Sequence, residues 1–313
     1  MTRNEFKAAK GKYLAFLPSS KADAEKTRIN YERVLNDFEK YLEQTNKNEI
    51  STVDILGYRQ HVRDRGAAQN TARQYLTDLN AFFNWCVRVR LITESPIQAD
   101  DIPEQTEIEY TLLERTEIDK VLAYRPAGAV LGARNRAIVT VLLQSGLRNS
   151  ELRSLTLNDL DFDAKTITVR HGKGNKSRVA PFPALSRDAV REYLANGYRD
   201  ADLTGDDLLF GTYANENGRS DGDNRQEWHE IGSNALNDIV KRYVKRITGK
   251  TIHAHTLRHA AASLWDDLNA PMRTIQQGLG HGSIRTTERV YVTVLNKHKA
   301  AADLTKAFDG DPD

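Results

Sequence analysis

The sequence predicts a mainly α-helical protein with one small three-stranded antiparallel sheet, split into an N-terminal helical bundle and a C-terminal mixed α+β domain. Three observations predict this. Apolar residues recur at helical spacing through the first third of the chain, and no clear strand pattern appears before residue 100. An aperiodic stretch, Leu91 to Thr106, then interrupts that texture with Pro96, Pro103, Glu94, Asp100, Asp101 and Glu104. Beyond it lies the one convincing set of strands, folded around a glycine-rich turn. The expected boundaries are a bundle over 1–95, a linker over 96–108 and a second domain over 109–313.

The elements follow in order. Tyr31, Val34, Leu35, Phe38 and Leu42 mark one helix. Ser51 caps a second, carrying Val53, Ile55, Leu56 and Tyr58. Tyr75, Leu79, Phe82, Phe83 and Val87 line one face of a third. In the second domain Thr116, Glu117 and Asp119 open a helix, and the apolar run Asn135 to Leu143 forms another that stops at Gly146. Asp161 to Lys165 turns into the strand Thr166–Arg170. The glycine hairpin His171–Lys176 follows, and Arg178–Phe182 returns as a third strand. The remainder reads as helical apart from a polar loop, roughly 214–224.

Composition narrows the function. With 313 residues the chain suits two domains. Charged residues make up 28%, yet the net charge is only +2, which argues against coating nucleic acid by bulk charge but allows a basic face balanced by acidic residues elsewhere. The single cysteine, Cys86, lies in an apolar run and reads as a buried structural thiol; it cannot form an internal disulfide. No apolar run approaches the roughly 20 residues of a membrane span, and the N-terminus lacks a signal core. The expectation is a soluble, cytoplasmic protein.

Four segments carry chemistry. In Gly146-Leu147-Arg148-Asn149-Ser150-Glu151-Leu152 a guanidinium sits where one helix ends and another begins, a place suited to an anion, with Glu151 near enough to buttress it. Lys173 stands between Gly172 and Gly174 on a tight turn that fits a DNA groove, where an ammonium can protonate a leaving oxygen. His255 and Arg258 are three residues apart and share a helix face, pairing an acid/base with a second phosphate clamp. His281 lies in a glycine turn and Tyr291 follows a short helix later. Each segment alone has an ordinary structural explanation; their order and spacing together do not.

That order, Arg148, Lys173, His255-x-x-Arg258, His281, Tyr291, resembles the tyrosine recombinase family of Xer proteins and phage integrases. GLRNSEL resembles its first arginine box, GKGNKSRVAP its β-hairpin lysine motif, HTLRHAAAS its second box and LGHGSIRTTERVY its third box and nucleophile. The match spans about 110–295, and the helical first domain is similar to the family's core-binding domain. Tyr291 follows His281 one residue later than in many members.

The resemblance implies a site-specific enzyme that cuts and rejoins double-stranded DNA through a 3′-phosphotyrosyl link at Tyr291. It implies phosphate clamping by Arg148, Arg258 and His281, proton removal by His255, protonation of the leaving 5′-oxygen by Lys173 and ordering by Glu151. No metal or other cofactor is implied, and the working form would be a tetramer on two DNA sites. His253, His255 and His259 cluster, but with no cysteine near and no HExxH pattern they argue only weakly for a metal. Basic stretches at 170–173 and 241–246 are candidate backbone contacts. The tail from Leu295 to Phe308 would dock on a neighbouring subunit or on its own domain. Two alternatives share the fold, a type IB topoisomerase that relaxes DNA and a DNA-binding regulator without catalysis. The separate helical domain favours a recombinase over the first, and retention of all the chemical groups favours it over the second.

Overall fold

A computed structural model describes residues 1–17, 22–106, 111–126, 130–170, 177–196, 199, 203–214 and 227–280. The chain divides into two compact units, Met1–Glu109 and Tyr110–Asp313.

The first unit is built from α1 (Arg3–Phe16), α2 (Ala22–Gln44), α3 (Thr52–Asp64) and α4 (Gln69–Arg88). The sequence reading locates α2 to α4 but not α1, whose buried stripe is only Phe6, Ala9 and Tyr13 amid Lys7, Lys10 and Lys12. A capping box starts α1: Thr2 N–H donates to Glu5 Oε2 at 2.8 Å and Glu5 N–H to Thr2 Oγ1 at 3.3 Å. Phe6 then packs edge-on against Phe38 and Phe82, with ring centroids 5.5 and 5.1 Å away. Each such buried ring contributes about 1.5–3 kcal/mol. Ser51 does cap α3, with Asp54 accepting from its N–H at 3.0 Å and its hydroxyl at 2.7 Å. Val53 faces solvent, however, and the helix turns Ile55 and Tyr58 inward. Cys86 is fully buried beside them, and burial pushes its thiol up to about 11.

The aperiodic stretch after α4 is pinned to this unit. Ile97 is buried in its core, and side chains of α3 and α4 donate to carbonyls along the strand-less run. Arg59 reaches Asp101 O at 3.1 Å, Gln69 reaches Glu104 O at 3.3 Å, and Asn70 both donates to Thr106 O and accepts from Thr106 N–H at 3.0 Å. Irregular backbone is satisfied here by side chains in place of a ladder.

The second unit centres on α6 (Val130–Ser145), whose Ala137, Ile138, Val139, Val141, Leu142 and Leu143 are all buried. A helix apolar on every side must be enclosed, and α8 (Ala184–Ala195) and α10 (Ala254–Asp267) flank it. The other helices are α5 (Arg115–Ala123), α7 (Asn149–Arg153), α9 (Ser233–Thr248) and α11 (Met272–Leu279). The expected sheet is present as β1 (Leu160–Asp161), β2 (Thr166–Val169) and β3 (Arg178–Pro181), antiparallel in that order, with Val169 opposite Arg178. An Asx turn joins the first two: Asp161 Oδ1 accepts from Asp163 N–H at 3.0 Å and Ala164 N–H at 2.6 Å.

One correction concerns the region taken as helix and loop. A second, two-stranded sheet pairs β4 (Gly211–Ala214) with β5 (Glu227–Glu230). Neither tetrapeptide alternates in hydrophobicity. Their pairing rests instead on Trp228, which packs so close to Gly211 that a Cβ there would lie 2.4 Å from its ring. The polar loop between them, beyond Ala214, and the tail 295–308 lie outside the described residues.

Candidate functional site

The site forms where four segments meet: the α6–α7 junction, β3, α10 and the end of α11. Helix α6 ends at Gly146, which has φ +61°; a Cβ there would lie 2.9 Å from Leu279 Cδ2 and 3.1 Å from Trp265 Cη2. Glycine therefore serves twice, permitting the left-handed turn and letting the chain touch α10 and α11. Two residues on, Arg148 is the N-cap of α7.

Glu151, at the third position of α7, is the hub. Its Oε2 accepts from the Arg148 main-chain N–H at 2.8 Å and its Oε1 from Arg148 Nη1 at 2.6 Å. The same Oε2 accepts from Arg178 Nη2 at 2.7 Å and lies 3.9 Å from Arg258 Nη1. The Glu151 side chain is only 1% exposed. Burial pushes its carboxyl up, but the charge of Arg178, the Arg148 N–H and the charge of Arg148 more than offset this, leaving it below the usual carboxylate range.

The three guanidiniums share a second anchor, the C-terminus of α11. Arg178 Nη1 donates to Gly278 O at 2.6 Å, Arg258 Nη2 to Leu279 O, and Arg148 Nη2 to Gly280 O at 2.7 Å. Helix ends leave such carbonyls unpaired and carry partial negative charge, so each takes one cation. Arg258 also donates to Gly146 O at 2.5 Å. Gly280 has φ +64°, and a Cβ there would strike Arg178 Cδ at 2.6 Å.

Exposure separates the three cations. The side chains of Arg258 and Arg178 are 3% and 9% exposed, while Arg148 is 24% exposed and forms the open edge. Burial, reinforced by the charge of Arg148, lowers Arg258 to about 9, so it stays charged at neutral pH. One carboxylate for three guanidiniums leaves surplus positive charge with Arg148 at its open edge, a setting for a phosphodiester.

His255 stands on α10 one turn before Arg258, with its ring T-stacked on His259 at 4.4 Å between centroids. Desolvation, then the charges of Arg258 and Arg148, depress its pKa, so at neutral pH it is uncharged and able to accept a proton. His259 is buried. Among the described residues no group of three His, Cys, Asp or Glu side chains is arranged to hold a metal ion.

Of the seven candidate residues, the structure brings Arg148, Glu151, His255 and Arg258 together. Lys173, His281 and Tyr291 lie outside the described residues. Sequence reasoning missed Arg178 as a site residue, naming it only as the start of the third strand and within the hairpin motif. It sits in a basic run with Lys173 and Lys176, and nothing in that run marks it as the residue that turns inward. Of the candidate DNA contacts, Arg170 pairs with Asp159 at 2.5 Å, while Lys241, Arg242, Lys245 and Arg246 are exposed along α9.

The family model described as Phage integrase family matches residues 111–298, and that described as Phage integrase, N-terminal SAM-like domain matches 11–88. Tyrosine recombinase XerD of Ralstonia nicotianae is 32% identical over 284 residues, covering 88% of this chain and 85% of the relative. Tyrosine recombinase XerC of Bacillus licheniformis is 28% identical over 286 residues, 90% of each. The fold is similar to that of the Tn1549 transposon integrase, solved in complex with transposon right end DNA, with TM-score 0.71 and 18% identity over 98% of this chain and 100% of that one. It is similar too to a lambda integrase dimer bound to a core site, with TM-score 0.68 and 16% identity over 95% and 98%.

Proposed function

Since the chain belongs to the phage integrase family, it is a tyrosine recombinase that cleaves and rejoins DNA, and we propose which of its residues carry each step. The observation that supports the assignment is a single buried carboxylate, Glu151, holding Arg148 directly and Arg258 at its edge, with Arg148 the part-exposed member of the cluster.

A DNA phosphodiester resists attack because it is anionic. Arg148 and Arg258 bind its non-bridging oxygens and stabilise the charge that grows in the transition state. His281 adds a hydrogen bond. Tyr291 attacks phosphorus, its proton passing to neutral His255, and an O–P bond forms as the bond from phosphorus to the 5′-oxygen breaks. Lys173 protonates that oxygen, leaving a 3′-phosphotyrosyl link and a 5′-hydroxyl. Glu151 keeps both arginines in register. The bond energy stays in the intermediate, so rejoining is the reverse reaction and needs no ATP. Fixed guanidinium charges carry the electrostatic load, and the reading calls for no metal or other cofactor.

The ligand is double-stranded DNA, gripped by a core-binding domain (1–95) and a catalytic domain (109–313) with 96–108 as linker. Exposed Lys241, Arg242, Lys245 and Arg246 contact its backbone. Four copies assemble on two DNA sites. A DNA substrate calls for a soluble protein acting in the cytoplasm; no helix among the described residues is long and apolar enough to cross a membrane.

The test is to incubate the protein with a genomic-fragment library, digest with protease and sequence the trapped ends. Ends clustered at one short sequence, joined to peptide through a 3′-phosphate and lost in Tyr291→Phe while DNA binding persists, are expected. Adducts that survive in Tyr291→Phe would overturn the nucleophile.

A further inference from the structure

Arg178 is the third cation of the cluster, and the mechanism above gives it no task. It is the first residue of β3. Its side chain is nine-tenths buried and donates in two directions, to Glu151 at 2.7 Å and to the α11 carbonyl of Gly278 at 2.6 Å. Gly280 makes room for it by lacking the Cβ that would strike it, and the α11 terminus offers the Gly278 carbonyl as acceptor.

Stability alone is a poor reason for this arrangement. Burial disfavours the Arg178 charge, the neighbouring charge of Arg148 disfavours it further, and only Glu151 opposes both. A buried cation sharing one carboxylate with two others costs more desolvation than an apolar residue would. What the arrangement secures is geometry. Glu151 can hold Arg148 by two bonds only while it is ionised, and the largest influence keeping it ionised against burial is the charge of Arg178.

We propose that Arg178 is a positioning residue of the recombinase: by bridging Glu151 to the C-terminus of α11 it keeps the Arg148 and Arg258 phosphate clamp assembled, without itself touching DNA. The proposal rests on the phosphate-clamp reading of Arg148 and Arg258.

The groups facing Glu151 are Arg148 from α7, Arg178 from β3 and Arg258 from α10. Without Arg178, burial dominates and Glu151 takes up a proton at higher pH, releasing its hold on Arg148. His255 also titrates nearby, and desolvation, then the charges of Arg258 and Arg148, depress it. Its titration should stay where it is.

The experiment is single-turnover covalent cleavage at saturating protein across pH, on normal DNA and on DNA with a 5′-bridging sulfur, for wild type, Arg178→Met and Arg178→Lys. For Arg178→Met we expect roughly 10- to 100-fold slower cleavage at neutral pH on both substrates, on the scale of losing one group that orients a catalytic charge. On the acid side its profile should move to higher pH or steepen from one proton to two. Arg178→Lys, which keeps the charge, should recover most of the rate and the wild-type profile shape. An unchanged rate, or an equal loss at every pH with no help from lysine, overturns the proposal. Should Arg178→Met fail to fold, Arg178→Gln retains an N–H donor without charge and is expected to show the same acid-side change. The underlying reading fails separately: Arg148→Ala and Arg258→Ala would then cleave at the wild-type rate whatever Arg178 does.

Discussion

Arg148 is held to Glu151 twice, through its main-chain N–H at 2.8 Å and its guanidinium at 2.6 Å, so one carboxylate fixes both the start of α7 and the direction of its N-cap residue's side chain. Backbone and side chain cannot drift apart, and the guanidinium, whose Nη2 also donates to Gly280 O, stays 24% exposed at the edge of the cluster. This double grip makes Glu151 the most sensitive position in the cluster.

Glu151→Gln keeps the size and one acceptor but turns an NH2 group toward guanidiniums and removes the one negative charge among them. Removing one partner of a buried ion pair costs about 3–5 kcal/mol. We expect a loss of that size in urea unfolding and a cleavage rate reduced by about 10²-fold or more. Unfolding and cleavage indistinguishable from wild type would remove Glu151 from its place as hub.

Two glycines with positive φ allow backbone strain to be separated from packing. Gly249, φ +76°, ends α9 with nothing within 4 Å of a Cβ, whereas a Cβ on Gly146 meets Leu279 and Trp265. Gly249→Ala should cost only the left-handed penalty of about 1–2 kcal/mol and leave cleavage intact. Gly146→Ala should cost that plus about 1–3 kcal/mol for overpacking and should slow cleavage, because Gly146 O is an acceptor for Arg258. Equal destabilisation of the two variants would mean that α10 and α11 do not press on this turn.

The acid side of the cleavage profile should report His255. Burial and the charges of Arg258 and Arg148 lower its pKa below the ordinary 6.5, so the neutral, proton-accepting form persists into mildly acidic solution. As pH falls through that depressed value the ring protonates and cleavage slows; as pH rises above it the rate levels off. His255→Gln should be slow and flat over the same range. A profile that keeps the same acid limb in the variant would assign the titration to another group.

Much of this architecture is legible in the sequence because periodicity is a local property. Helices α2, α3 and α4 each carry a repeating apolar face, α6 carries an apolar run, and the sequences of β2 and β3 flank a glycine-rich segment. Helix α1 escapes notice because three buried residues among lysines make too thin a stripe. The pair β4 and β5 escapes because a tryptophan over a glycine, not alternation, holds it. The same division applies to the site. Arg148, Glu151, His255 and Arg258 stand out through their motifs and spacing. That Arg178 reaches Glu151, and that Gly278, Leu279 and Gly280 each accept from a different arginine, depends on how deeply β3, α10 and α11 seat against one another. No short stretch of sequence encodes that depth.

The last prediction separates chemistry from grip at Lys173. A proton on the leaving 5′-oxygen matters only when that oxygen is a poor leaving group. Lys173→Ala should therefore slow cleavage of normal DNA by roughly the 10²- to 10⁴-fold typical of general acid catalysis. With sulfur at the 5′-bridging position the leaving atom needs no proton, and the same variant should cleave nearly as fast as wild type. A lysine that merely touched the backbone would weaken both substrates alike, mainly through affinity and with strong salt dependence. Arg178→Met supplies the contrast, since its expected loss falls on both substrates but with affinity for DNA retained. Equal losses on oxygen and sulfur substrates in Lys173→Ala would leave the hairpin lysine as a DNA contact and pass the role of acid to another group.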